Sequence, residues 1–438
     1  NFNSYGLDGQ PALHILNNDF EPGLQDGETA YLVLSQRRGG RGLWGLNVTE
    51  KDAPGLLWVI DGSEAAAGTP LSTLGQTWST PVFSKVEIDG LGERTVAIIG
   101  GGYDDGQDNV GYHADAVGNS IFMIDIENGN VLWSAGGNAT VGHNLPMNTG
   151  NGANATMQHG VAAPVKAIDL SGDGFVDRMY ATDLGGRIWR FDVENGESAA
   201  NLVSGGLIAN LGGAESGQDT DARRFYAAPD IVFVPPSNSN YEPYLAINVG
   251  SGHRAKPLDE SQDDWFFSVR DRDVYNSIAT ADYNGDYVQF ADLVDITDDT
   301  EPTLDVDAAG WKLEMEAEAG ERVLSESFTF AGTTFITSFA PAPIVATCGQ
   351  VSAGGGNNRL YRVRVTDGAP DAPDDEVLEE PEPEDRYTDL ATKGIAPSPV
   401  LLFTEEAPEL VLCVGVECGD AGVSNNLERT YWFQDETQ

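Results

Sequence analysis

A five-residue pattern, hydrophobic–aromatic–any–hydrophobic–polar, recurs along the chain and narrows the folds open to it. Copies are Leu43-Trp44-Gly45-Leu46-Asn47, Ile121-Phe122-Met123-Ile124-Asp125, Ile188-Trp189-Arg190-Phe191-Asp192 and Leu360-Tyr361-Arg362-Val363-Arg364, with a looser one at Phe266-Phe267-Ser268-Val269-Arg270. In three copies a glycine stands four positions after the polar residue, at Gly129, Gly196 and Gly368. The alternation reads as a β-strand running into a tight turn. Most copies follow a strand opened by proline: Pro81, Pro164, Pro229, Pro343 and Pro399. Proline is tolerated there because the first residue of a strand can spare its N–H. Between the two lies a third apolar strand, seen at Val96-Ala97-Ile98-Ile99-Gly100, Arg178-Met179-Tyr180-Ala181-Thr182 and Tyr244-Leu245-Ala246-Ile247-Asn248.

The three-part unit returns at intervals of roughly 70 to 90 residues. A β-sandwich has no reason to repeat such a unit, whereas a β-propeller is made of radially repeated antiparallel sheets. The spacing exceeds the roughly forty to fifty residues of WD40 or kelch blades, which implies long inter-strand insertions. The expectation is an all-β propeller of six to eight blades, seven favoured, occupying residues 1–438 as a single domain. Glycine, at 52 of 438 residues, suits so many turns, and 40% hydrophobic residues suffice for a core. Residues 367–392 are acidic and proline-rich, and read as an exposed loop between blades.

A net charge of −45 excludes nucleic acid as a partner, because a phosphate backbone would be repelled over the whole surface. Six lysines against eighteen arginines, with 69 acidic residues, read as adaptation to high salt, where screening makes self-repulsion tolerable, or else as the composition of an acidic secreted protein. No run of eighteen apolar residues offers a membrane span. The chain begins at Asn1 without a signal-peptide pattern, as a processed product or a fragment would. Three cysteines leave alternatives open: Cys413 and Cys418 can bridge across a turn, or Cys348 can pair with either.

One local motif carries chemistry. In Asp169-Leu170-Ser171-Gly172-Asp173-Gly174-Phe175-Val176-Asp177, oxygen side chains occupy positions 1, 3, 5 and 9, and glycine occupies position 6. This spacing wraps a loop around a hard cation, with Asp169, Ser171, Asp173 and Asp177 supplying side-chain oxygens and Phe175 its carbonyl. Position 12 is Tyr180, so the bidentate glutamate of calcium sensors is missing. The expectation is Ca²⁺ at an affinity of the order of 10⁻⁴ to 10⁻³ M, as in extracellular modules. A weaker echo, Asp282-Tyr283-Asn284-Gly285-Asp286, lacks the glycine and the last ligand and reads as a plain turn. His14, His113, His143, His159 and His253 are scattered, and Gly100-Gly101-Gly102 runs into Tyr103-Asp104-Asp105, where carboxylates would repel a phosphate. No catalytic constellation stands out, so the chain is expected not to be an enzyme.

Several segments resemble the C-terminal domain of the PilY family, large proteins associated with type IV pilus biogenesis and the pilus tip. They are Gly39-Gly40-Arg41-Gly42 running into Leu46-Asn47-Val48-Thr49, Trp78-Ser79-Thr80-Pro81-Val82, the 169–177 loop, and Asp183-Leu184-Gly185-Gly186 leading to Trp189-Arg190-Phe191-Asp192. Gly320-Glu321-Arg322-Val323-Leu324 and Arg429-Thr430-Tyr431-Trp432 continue the series. The resemblance implies a quinoprotein-like propeller holding Ca²⁺ at Asp169, Ser171, Asp173, Phe175 and Asp177. It further implies export through the periplasm to an extracellular pilus tip, minor pilins as partners, and roles in extension, retraction and adhesion to a host or abiotic surface. The Arg-Gly-Asp tripeptide of some members is absent, as is a von Willebrand-like region. The alternatives are a cell-surface binding propeller unconnected with pili, or a quinone-dependent dehydrogenase. The latter commonly carries a vicinal cysteine pair, which this chain lacks.

Overall fold

The structure is a computed structural model that describes residues 6–16, 24–148, 156–213, 221–236, 242–283, 286–342, 346–347, 350–351, 355–373, 378, 380–403 and 409–424. Its described residues form β-strands, turns and short 3₁₀ segments. The first sheet is β1 (Ala12–Leu16), β2 (Thr29–Ser35), β3 (Gly42–Asn47) and β4 (Gly55–Asp61). The second is β5 (Val82–Ile88), β6 (Gly92–Gly100), β7 (Ser120–Asp125) and β8 (Val131–Gly136), with the short β9 (Leu145–Pro146) added in parallel. The third is β10 (Lys166–Ile168), β11 (Arg178–Thr182), β12 (Arg187–Val193) and β13 (Val203–Asn210). The fourth is β14 (Asp230–Val234), β15 (Tyr244–Gly250) and β16 (Trp265–Asp271), closed by β19 (Gly310–Glu314). Before β19, the two-residue β17 (Val288–Gln289) and β18 (Val294–Asp295) run parallel to β13 and β19.

The fifth sheet contains β20 (Arg322–Val323), β21 (Phe328–Phe330), β22 (Thr333–Ala340), β25 (Asn357–Arg364) and β26 (Tyr387–Leu390). A small hairpin, β23 (Ala346–Thr347) with β24 (Gln350–Val351), interrupts it. The sixth sheet is β27 (Val400–Leu402), β28 (Glu409–Val414) and β29 (Glu417–Ser424), where Cys413 and Cys418 form a disulfide. Cys348 lies outside the described residues.

The recurring pentapeptide falls on the third strand of each of the first four sheets, β3, β7, β12 and β16, and on β25 of the fifth. Its alternation has a physical purpose, since β7, β12, β16 and β25 are each sandwiched between neighbouring sheets, while β3 packs on the second sheet. On β7, Phe122 and Ile124 pack toward Val33, Leu43 and Trp58 of the first sheet, while Ile121 and Met123 pack toward Trp189 and Phe191 of the third. Further clusters join the third sheet to the fourth through Ile188 and Phe267, the fourth to the fifth through Trp311 and Tyr361, and the fifth to the sixth through Phe335 and Leu412. Five successive face-to-face contacts between sheets of consecutive sequence are the packing of a β-propeller. The proline-led segments before β10, β14 and β27, together with Leu324–Glu326, converge on one cavity of about 370 Å³. Across its rim Lys166 Nζ lies 3.3 Å from Glu326 Oε1.

The described residues contribute six sheets of three or more strands, the lower end of the expected range; a seventh is not among them. Pro343 and Arg429-Thr430-Tyr431-Trp432 lie outside the described residues. One expectation is corrected. Residues 367–392 are not simply an exposed loop: they supply β26, which pairs with β25, and the buried Arg386. Its guanidinium donates to the carbonyls of Gly368, Thr297, Ile296 and Asp299, so the acidic tract is anchored from within.

Close packing makes one glycine testable. On β3 a Cβ at Gly45 would lie 2.0 Å from the Trp58 ring, whose indole N–H donates to Ile126 O at 2.8 Å. Gly45→Ala is expected to cost about 1–3 kcal/mol through overpacking, read as a lower thermal midpoint than wild type.

Candidate functional site

The 169–177 loop joins β10 to β11, so both its ends are held in the third sheet. Asp177 N donates to Ile168 O at 2.9 Å, and Val176 N to Lys85 O at 3.0 Å, fixing the loop base to the second sheet as well. Asp169, Ser171 and Asp173 are exposed, while Phe175 and Asp177 are half-buried. Gly172 and Gly174 take φ of +76° and +91°, a region where a Cβ is strained, which explains both glycines.

The carboxylates close the loop on itself. Asp177 Oδ2 accepts from the N–H groups of Leu170 (2.8 Å) and Ser171 (2.7 Å), reaching back from the ninth position to the second and third. Asp169 accepts from Gly172 N (2.6 Å), Gly174 N (2.8 Å) and Ser171 Oγ (3.3 Å). Asp173 Oδ1 accepts from Phe175 N at 2.9 Å. Desolvation would raise the Asp169 carboxyl, but the N–H groups of Gly174 and Gly172 and the Ser171 hydroxyl outweigh it and hold the group below its ordinary value. The five expected ligand residues thus share one pre-closed loop whose donors are all hard oxygens, the set suited to Ca²⁺. Tyr180, at the twelfth position, is turned away. It is fully buried and donates to Asp271 Oδ2 at 2.5 Å, so it is committed to the contact between sheets.

Of the weaker echo, Asn284 and Gly285 lie outside the described residues; Asp282 ends a 3₁₀ segment. Among the described residues, one group of three metal-ligating side chains has donor atoms within 4.8 Å of one another, and it is not in this loop. It is Asp104, His113 and Asp115, in the insertion between β6 and β7. Sequence spacing missed it because the insertion folds back on itself, and Asp-x₈-His-x-Asp matches no established metal spacing.

Next to the loop, β11 and β12 carry a buried polar network. Arg190 donates to both oxygens of Asp271 (2.9 and 3.0 Å) on the fourth sheet and to Asp192 (3.1 Å) on its own strand. Arg178 donates to Asp192 at 2.6 Å. The turn joining the two strands is organised by Asp183, which is fully buried. It accepts from Gly185 N (2.9 Å), Arg187 N (3.1 Å) and the Trp189 indole N–H (2.8 Å).

Residues 1–206 match the family model of the PilY1 β-propeller domain, a stretch that includes the first two sheets, the 169–177 loop and the Asp183 turn. The crystal structure of the Pseudomonas aeruginosa PilY1 C-terminal domain matches with a TM-score of 0.62 at 17% identity, covering 95% of this chain and 85% of that one. Over its first 206 residues the chain is similar to the PilY1 β-propeller domain, and its fold is a β-propeller. Type IV pilus biogenesis factor PilY1 of Pseudomonas aeruginosa strain UCBPP-PA14 is 29% identical over 162 residues, 37% of this chain. The protein of the same description from strain PAO1 is 26% identical over 218 residues, 47% of this chain. The match spans only 11% and 16% of those two PilY1 proteins. Among the described residues, no helix is long and apolar enough to cross a membrane.

Proposed function

We propose that this propeller is the calcium-binding part of a type IV pilus biogenesis factor, acting at the extracellular pilus tip with minor pilins rather than as an enzyme. The observation that carries the reading is the 169–177 loop. Its ligand spacing, its two left-handed glycines and its closure by Asp169 and Asp177 occur inside the stretch matched to the PilY1 propeller. Asp169, Ser171, Asp173, Asp177 and the Phe175 carbonyl would hold the ion, which when bound supplies a divalent charge linking the loop's two ends. Because these residues are already gathered by backbone hydrogen bonds, little ordering is left for binding to offset. The loop base bonds to Lys85 on the second sheet, so loop order bears on how two adjacent sheets meet. The acidic surface then belongs to a saline, extracellular setting.

The experiment is capture of purified minor pilins by the immobilised propeller with Ca²⁺ and with chelator. Retention in Ca²⁺, weakened at least several-fold by chelator and by Asp173→Ala, is the expected result. Equal retention in both conditions would contradict a calcium-linked role, and no retention would contradict the pilin partnership.

A further inference from the structure

We propose that Asp104, His113 and Asp115 form a second cation site, one that takes a divalent transition metal of the zinc class rather than Ca²⁺. One ligating atom from each side chain lies within 4.8 Å of the other two, close enough that small side-chain shifts bring all three onto a single ion. His113 Nδ1 lies 2.9 Å from Asp115 Oδ1, a hydrogen bond that a metal ion binding between the two atoms would replace. An imidazole nitrogen beside two carboxylates suits zinc-class cations, whereas Ca²⁺ takes all-oxygen shells.

A second observation points the same way. The Asp115 side chain is fully buried, and among the described residues no Arg or Lys forms an ion pair with it: His113 is its ion-pair partner, and Arg224 reaches it only through Gln107. A buried carboxylate without a cation is costly, and a bound metal removes the cost. The supporting shell is in place, because Asp115 also accepts from Gln107 Nε2 (2.9 Å) and Gly160 N (2.6 Å), and Asp104 accepts from Gly106 N (2.8 Å) and Ala116 N (2.9 Å). Gly106 leaves the room that the ring needs, as a Cβ there would lie 2.4 Å from His113 Nε2.

The site would act as a staple. The insertion bearing it touches the Gln158–Gly160 segment through Asp115, and Gln107 reaches across to Arg224 (2.8 Å) and His253 (2.9 Å) beside the fourth sheet. Three protein ligands leave a coordination position open, available to water or to a ligand group from outside.

Calorimetric titration of the metal-stripped chain with Zn²⁺ tests this. One equivalent is expected to bind, with affinity reduced at least tenfold in His113→Ala and unchanged in Asp173→Ala. His113→Ala removes the ion-pair partner of Asp115 and is expected to lower the metal-free melting temperature somewhat while leaving the chain folded; Asp104→Asn, which keeps an acceptor for Gly106 N–H, serves as a second variant with the same expected loss of Zn²⁺ affinity. Absence of Zn²⁺ binding, or wild-type affinity in both His113→Ala and Asp104→Asn, overturns the proposal. Loss through Asp173→Ala instead overturns it too, by assigning the zinc to the other loop.

Discussion

Arg190→Ala is expected to lower stability by about 3–5 kcal/mol, the usual cost of removing one partner from a buried ion pair. Arg190 is fully buried on β12 and faces the fourth sheet, where both carboxylate oxygens of Asp271 accept from its Nη1. Without the guanidinium, Asp271 keeps only the Tyr180 hydroxyl among its close side-chain donors, and Asn276 O loses one of its two guanidinium donors. The effect should appear as a lower urea midpoint followed by tryptophan fluorescence. Replacing both members, Arg190→Met with Asp271→Leu, should recover much of the loss, since a buried pair can be exchanged for apolar groups at little cost. A single variant that melts with wild type would mean the third and fourth sheets do not meet as described.

Asp183→Ala should be nearly as damaging, at about 3 kcal/mol or more. Three donors converge on this carboxylate, and each would be left buried and unsatisfied. Asp183→Asn should fall between alanine and wild type. Its amide oxygen can still accept from the Gly185 and Arg187 N–H groups, while its NH₂ would confront the Trp189 indole N–H. Urea midpoints of the three proteins give the order directly; alanine and asparagine variants of equal, near-wild-type stability would contradict the role given to this turn.

The contrast between these two residues shows what a single sequence can reveal. The strands β3, β7, β12, β16 and β25 were legible because period-2 alternation is local and each buries at least one apolar face. Arg190 and Asp192 were legible only as the variable and polar positions of the repeat. What makes them buried is Asp271, about eighty residues away and supplied by the neighbouring sheet. The strand β26 was hidden in an acidic tract for the same reason, since its pairing with β25 and the carbonyl cage around Arg386 are non-local. Two-residue additions such as β17 and β18 carry too little sequence to show a period. The closed shape of the 169–177 loop was legible, because its two glycines and the carboxylates that close it lie within nine consecutive residues. Asp104, His113 and Asp115 were not, because only the folding of an insertion unites them.

The central claim is that this propeller holds Ca²⁺ in one inter-strand loop. Thermal unfolding of wild type and Asp173→Ala, each in about 10 mM Ca²⁺ and in chelator, tests it most directly. Asp173 is exposed and contributes a single hydrogen bond, to Phe175 N, so the variant should fold normally. For a dissociation constant of 10⁻⁴ to 10⁻³ M, mass action gives wild type about 1.4–2.7 kcal/mol of added stability, or a rise of a few degrees in melting temperature. The account predicts that rise in wild type and its loss in Asp173→Ala; the same calcium-dependent shift in both proteins would contradict it.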